Sequence, residues 1–265
     1  MNDQEQAIRV VHGDCGVILP TVPCHSIGAI VTDPPFGVGF HSNETSYDDS
    51  KDSVLPLIPG WFREWHRVLK DDSYLFLFCG IKNIENWIAE GKKAGFTFKN
   101  LIATRSFNNG AACSMKNFAF VMQPVLLFSK GNGRKFHEVN LFPTSKEWLE
   151  DHRNTNPKPF TYLYPNFIPT DVTYGTEVFS NGADTKRVVH PNAKNVKLIE
   201  FFIEIATDAG ETVLDPFCGG GSTGVAAMFA ERRFIGIEKD EKFYKSALKR
   251  IENTMTLFHQ DGGAV

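Results

Sequence analysis

The stretch VLDPFCGGGSTG, Val213 to Gly224, decides how the rest of the chain is read. An apolar strand, Glu211 to Leu214, runs into a glycine turn, and an apolar helical segment, Ser222 to Glu231, leaves it. Gly219, Gly221 and Gly224 satisfy G-x-G-x-x-G: glycines there allow a tight turn and close backbone approach, while the helix beyond presents unpaired N–H groups to an anion. Glu238 ends the next predicted strand, Phe234 to Glu238, where a carboxylate can grip both hydroxyls of a ribose. Together these features predict an adenosine ligand with an anionic group. Too little chain follows Gly224 for the second nucleotide-binding half that NAD needs, so S-adenosylmethionine, with its methionine carboxylate, fits better.

Outward from this turn the pattern stays α/β. Strands are predicted at IRVVH (Ile8 to His12), IGAIVT (Ile27 to Thr32), YLFLFC (Tyr74 to Cys79), Phe96 to Arg105 and Phe118 to Ser129, the last two as a hairpin around Asn108-Asn109-Gly110. Helices are predicted over Val54 to Lys70, entered at Pro56 or Pro59, over Ile84 to Ala94, from about Lys194 to Ala209, and near Glu241 to Thr254. Strands alternating with helices imply a mostly parallel sheet covered on both faces. Between Lys130 and Val189 the periodicity breaks into Gly, Asn, Pro and isolated aromatics, and so long an irregular stretch marks an insertion. The expected organisation is a catalytic domain built from 1–130 and 190–258, with 131–189 inserted for target recognition.

A second constellation, Asp33-Pro34-Pro35-Phe36, follows the IGAIVT strand directly. Ligands of open α/β sheets lie at the carboxyl ends of the strands, so Asp33 should face the same crevice as the glycine turn. The prolines stiffen the corner, leaving a carboxylate, the Pro34 carbonyl and the Phe36 ring. That set suits a planar amine whose lone pair is delocalised into a ring. Asp33 and the Pro34 carbonyl can accept its two hydrogens while Phe36 stacks on the base, so that alignment carries most of the acceleration.

Composition bounds the reading. With 28 Lys+Arg against 31 Asp+Glu the formal charge is -3, which argues against a protein that coats nucleic acid and requires any DNA contact to be local. Five cysteines, an odd number, do not form a disulfide framework. His12, Cys15, Cys24 and His25 lack zinc-site spacing, so no metal is expected. No run of apolar residues is long enough to span a membrane, and a soluble, cytoplasmic protein is expected.

The two motifs and the long block HPNAKNVKLIEFFIEIATDAGETVLDPFCGGGSTGVAAMFAERRFIGIEKDEKFY, His190 to Tyr244, resemble the amino-methyltransferase family of DNA methyltransferases. The likeness is to the permuted group, in which D-P-P-[YF] precedes D-P-F-x-G-x-G. It implies a Rossmann-like, seven-stranded S-adenosylmethionine-dependent methyltransferase fold. It also implies that Asp14 lies near the cofactor adenine, that Asp215, Phe217, Gly219 and Gly221 line the methionine pocket, and that Glu238 binds the ribose. Cys15, Ser222 and Thr223 are counted with this set. His190, Asn192 and Lys194 match the block before the first cofactor helix, where Lys194 is expected on the methionine carboxylate. Four positions depart from the family pattern: Phe36 stands where Tyr is usual, Asn195 where Pro follows the lysine, and Gln123-Pro124 where His-Glu is frequent.

The activity implied is site-specific methylation of adenine N6 in double-stranded DNA, on a nucleotide swung out of the helix. The aspartate of D-P-P favours adenine; cytosine N4 enzymes of similar type more often carry Ser. Lys116, Lys130, Arg134, Lys135, Arg153, Lys158, Lys186 and Arg187 are candidates for a basic DNA-contacting patch. The partners expected are DNA and, in oligomeric form, a second copy of the chain as a homodimer. The alternatives are a cytosine N4 enzyme, an RNA or protein-glutamine methyltransferase, which usually has the motifs in the opposite order, and a non-catalytic DNA-binding protein that keeps the fold.

Overall fold

The computed structural model describes residues 7–37, 39, 48–105, 122–137, 167–168 and 194–260. Its strands are β1 (Ile8–His12), β2 (Ile27–Thr32), β3 (Leu69–Phe78), β4 (Phe96–Arg105), β5 (Met122–Lys130), the two-residue β6 (Phe167–Ile168), β7 (Thr212–Asp215) and β8 (Arg233–Glu238). Helices α1 (Cys15–Ile18), α2 (Lys51–Val54), α3 (Ile58–Val68), α4 (Ile84–Lys93), α5 (Val196–Ala206), α6 (Ser222–Phe229) and α7 (Glu241–Gln260) connect or follow them.

One sheet runs β1-β8-β7-β2-β3-β5-β4-β6. From β1 to β3 all neighbours are parallel. β5 lies antiparallel between β3 and β4. This is the expected seven-stranded, mostly parallel sheet, with β6 added at the edge of β4. The β4–β5 pairing is also the expected hairpin, running from Phe96 opposite Lys130 to Arg105 opposite Met122. Its turn, with Asn108-Asn109-Gly110, lies outside the described residues.

β2 is buried along its whole length because it sits mid-sheet with helices on both sides. Alternate side chains serve the two layers. Ala29, Val31, Phe76 and Phe78 pack with Ile199, Phe202, Val225 and Ile251 of α5, α6 and α7. Ile30, Leu75 and Leu77 pack with Cys15, Phe62, Trp65 and Trp87 of α1, α3 and α4. The apolar spacing that predicts one helix from Val54 to Lys70 is cut by its prolines: α2 ends, Leu55–Leu57 form a 3-10 turn, and α3 starts afresh with Pro59 in its first turn. Leu69 and Lys70 already belong to β3. Asn195, in place of proline, caps α5 by accepting the Leu198 N–H at 3.1 Å.

Residues 131–137, the first of the expected insertion, run along the body formed by the sheet and its helices. The His137 N–H donates to the Ile205 carbonyl at 2.9 Å, and Phe136 packs on the core. Among the described residues no helix is long and apolar enough to cross a membrane.

Candidate active site

β2 and β7 are parallel neighbours, with Ala29 opposite Val213 and Ile30 opposite Leu214. Their carboxyl ends therefore leave the sheet side by side, although one strand lies near the front of the chain and the other near its back. From β2 the chain crosses to β3 through α3, and from β7 to β8 through α6, on the opposite face. The gap between β2 and β7 is thus the switch point at which open α/β sheets hold ligands.

A hydrogen bond ties the two ends. The Thr32 hydroxyl donates to Asp215 Oδ1 at 2.8 Å. The same carboxylate accepts from the Phe217 N–H at 3.1 Å and from the Thr223 hydroxyl at 2.6 Å. Burial pushes the Asp215 carboxyl up to about 7, against the pull of Thr223 and Thr32. Asp215 thereby fastens β2, the glycine turn and the start of α6 to one another.

Within the turn, Gly219 and Gly221 have φ of 49° and 80°, a region costly for residues with a Cβ. Gly224 serves packing instead: a Cβ there would lie 2.8 Å from Ile251 Cδ1 on α7. Glu238 holds the turn from the next strand. Its Oε2 accepts the Gly219 N–H at 2.8 Å and its Oε1 the Asp240 N–H at 2.7 Å. Each oxygen keeps a lone pair for a further donor. Burial raises this carboxyl too.

Across the turn, Asp14 caps α1 through the Gly16 N–H at 2.8 Å and meets Lys239 at 2.9 Å. That lysine holds the Asp14 carboxyl below its usual range. Burial pushes the neighbouring Cys15 thiol up to about 12, making it an uncharged wall. The other members of the dismissed zinc quartet point to other partners: His12 stacks on Tyr244 and His25 faces Asp71, while Cys24 contacts Arg67.

At the opposite wall stands Asp33. Lys194 Nζ lies 2.7 Å from its Oδ2 and 3.4 Å from Gln123 Oε1. The amine expected on a cofactor carboxylate pairs with Asp33 in this structure. Asp33 Oδ1 is buried and has no hydrogen-bond partner among the described residues. Burial drives the Asp33 carboxyl up, Lys194 pulls it down, and Asp49 raises it further. Phe36 is half-buried beside the same ammonium, 5.9 Å from its ring centre.

One cavity of about 730 Å³ takes in both motifs, a size suited to a small-molecule site. Asp33, Pro34, Pro35 and Phe36 line it, with Lys194, on one side. Asp14, Cys15 and Glu238 line it on the other. Between them lie Asp215, Phe217, Gly219, Ser222 and Thr223. Gly221 stays behind this surface, 3.1 Å from Ala247 measured from the Cβ it lacks. His190 and Asn192 fall outside the described residues.

Of the basic candidates, the three described ones, Lys130, Arg134 and Lys135, are not on the cavity wall. Lys130 is 7% exposed; its amine donates to the Leu69 carbonyl at 2.7 Å and lies 3.3 Å from Asp71. Arg134 reaches Glu211 at 2.7 Å and Asp208 at 3.1 Å. Both are engaged in ion pairs within the chain. Lys135 is exposed. Lys116, Arg153, Lys158, Lys186 and Arg187 lie outside the described residues.

Three supporting residues escaped the sequence reading. Asn83 donates to the Phe36 carbonyl at 2.8 Å and the Gly37 carbonyl at 3.0 Å. Asp49 accepts the Gly37 N–H at 2.8 Å. Together they clamp the exit of the D-P-P-F corner, yet no motif announces them. Thr32 had a faint signal, as the polar residue closing an apolar strand before Asp33.

These features define a Rossmann-like α/β fold of the S-adenosylmethionine-dependent methyltransferase kind, with its cavity at the switch point. The DNA methylase family model matches residues 27–249, and the chain belongs to that DNA methylase family. Over 259 residues it is 26% identical to a DNA adenine methyltransferase, YhdJ, of Escherichia coli K12, spanning 93% of this chain and 83% of that one. The crystal structure of the M1.HpyAVI–SAM complex is similar with a TM-score of 0.62 at 23% identity, over 92% of this chain and 98% of the other. The cytosine-N4-specific PvuII DNA methyltransferase is similar with a TM-score of 0.68 at 17% identity, over 95% and 91%.

Proposed function

We propose that the chain transfers a methyl group from S-adenosylmethionine to the N6 amine of an adenine swung out of double-stranded DNA. The observation that carries this reading is the common cavity of the D-P-P-F corner and the glycine turn. The residues present fit the cofactor. Glu238 has spare acceptor capacity for a ribose, Cys15 and Phe217 offer uncharged surface, and the start of α6 offers N–H groups to a carboxylate. When bound, the cofactor supplies an electrophilic methyl group on a sulfonium.

The chain's own residues then align the nucleophile. Asp33 Oδ1, buried and unpartnered, accepts one amine hydrogen, and the Pro34 carbonyl accepts the other. Holding both hydrogens aims the nitrogen lone pair at the methyl carbon. As the N–C bond forms and the methyl–sulfur bond breaks, its electron pair would stay on sulfur as a neutral thioether, while the amine turns acidic and its surplus proton leaves by way of Asp33. Phe36 stacks on the base, and its carbonyl stays fixed through Asn83. Burial raises the Asp33 carboxyl, and Lys194 pulls it back toward the ionised form.

Adenine is favoured by the aspartate of D-P-P and by likeness to an enzyme named as a DNA adenine methyltransferase. A cytosine N4 target is the second reading, favoured by the likeness to PvuII methyltransferase. The inserted segment, 131–189, takes the role of target recognition, with its first residues packed against the sheet and helices. Incubation with labelled cofactor and mixed-sequence DNA, then mass spectrometry of the nucleosides, tests the proposal. N6-methyladenine is expected; N4-methylcytosine alone transfers the assignment to the second reading, and no labelled nucleoside ends both.

A further inference from the structure

We propose that Arg250 is a positioning residue for the cofactor's carboxylate, acting through the hydroxyl of Ser222. The proposal rests on the S-adenosylmethionine reading above and concerns a residue outside the cavity wall.

The packing of α7 on α6 brings the two together. A Cβ at Gly221 would meet Ala247, and one at Gly224 would meet Ile251. Without those Cβ atoms α7 lies close over the first turn of α6, and Arg250, between Ala247 and Ile251 in sequence, sends Nη1 to within 2.9 Å of Ser222 Oγ. Arg250 is half-buried. Among the described residues the Ser222 hydroxyl is its one hydrogen-bond partner, and no carboxylate pairs with it. Arg67 and Arg134, also partly buried, each hold a glutamate.

An unpaired guanidinium at this place is electrostatically costly. The first turn of α6 carries the positive end of the helix dipole, so two positive poles adjoin in a partly dehydrated region. Burial accordingly pulls the Arg250 pKa down. An anion in the cavity beside Ser222 relieves both.

The hydroxyl supplies the link. A guanidinium only donates, so Arg250 occupies a lone pair of Ser222 Oγ and the hydroxyl hydrogen must point elsewhere. Ser222 lines the cavity and Arg250 does not. The cation behind it makes this hydroxyl a polarised, preoriented donor to the cavity. Of the ligand proposed for the site, the anionic part is the carboxylate.

Calorimetric titration of the purified chain with two probes tests this. S-adenosylhomocysteine carries the carboxylate; 5′-methylthioadenosine keeps the adenosine and the sulfur without it. Arg250→Met is expected to weaken S-adenosylhomocysteine by about tenfold and to leave 5′-methylthioadenosine within about twofold. Ser222→Ala should show the same selective loss, and the double variant should be no weaker than Ser222→Ala alone. Arg250→Lys, which keeps a cation with less reach, should recover part of the loss and guards against a folding defect in Arg250→Met. Equal affinity of wild type and Arg250→Met for S-adenosylhomocysteine, or an equal loss for both probes, overturns the role of Arg250 and leaves the cofactor reading intact. A wild-type chain that binds neither probe overturns the cofactor reading and the role of Arg250 with it.

Discussion

The two edges of the sheet treat carboxylates in opposite ways. At the amino edge, Glu211 just before β7 meets Lys70 at 2.6 Å and Arg134 at 2.7 Å. Burial pushes its carboxyl up, but the two cations and the Asp208 N–H outweigh burial and bring it down to about 2. At the carboxyl edge, Asp33, Asp215 and Glu238 all sit above their usual range, with burial the largest cause each time. Asp215 is satisfied by the fold itself, through Thr32, Phe217 and Thr223, whereas Asp33 keeps an unpartnered oxygen facing the site; Asp14, also on the cavity wall, is lowered by Lys239. Raised carboxylates around a cavity are a mark of a working site; a lowered one in an ion-pair cluster is a mark of structure.

Substitutions at each edge can break that contrast. The largest effect is expected from Asp33→Asn, which should lower methyl transfer by about a hundredfold to a thousandfold while labelled cofactor still binds. Full transfer by that variant removes Asp33 from the chemistry. Next, Lys194→Met should move the acidic limb of the pH–rate profile to higher pH. Without its cation the Asp33 carboxyl rises further, and the ionised form disappears at a higher pH; Lys194→Arg should restore the limb. An unmoved limb separates Lys194 from the charge state of Asp33.

At the amino edge, Glu211→Gln should cost up to about 3 kcal/mol of stability at neutral pH, read from denaturant unfolding. The folded-state pKa is depressed, so this stability is present above about 4.5 and drains away as pH falls toward about 2. Wild type should lose stability across that window and the variant should lose less. The smallest effect is a division between adjacent residues. Lys135→Ala should reduce the salt slope of DNA binding by about one, whereas Arg134→Ala should destabilise the chain and leave the slope unchanged. The reverse pattern puts Arg134 on the DNA.

Much of this was legible in the sequence, for a physical reason. Strands buried on both faces need unbroken apolar runs, so β2 and the end of β3 are visible as IGAIVT and YLFLFC. Glycine is required wherever the turn adopts positive φ, so Gly219 and Gly221 stand out. The D-P-P-F corner is visible because two prolines in succession are rare furniture for an enzyme chain and sit directly behind a strand. The helix entered at Pro59 was also foreseeable, but its true beginning was not, since Val54, Leu57 and Ile58 keep helical spacing across the 3-10 turn.

What stayed hidden depends on contacts between distant segments. Asn83 and Asp49 act by gripping backbone atoms, and backbone recognition leaves no pattern in side-chain types. The fate of Lys130 and Arg134 was equally invisible: their charge is plain in the sequence, but whether a cation faces solvent or a glutamate depends on the fold. Lys194 shows the same limit at the site itself. Resemblance points to a cofactor group, and the pairing with Asp33 is visible only in the fold.

The bond from Thr32 to Asp215 spans 183 positions, and that separation has a bearing on biosynthesis. A ribosome releases β2 long before β7, so the nascent chain carries an aspartate corner held by Asp49 and Asn83 but without Asp215. Contacts so remote in sequence close slowly. A product that stops before β7 therefore lacks the Asp215 anchor that joins β2 to the glycine turn.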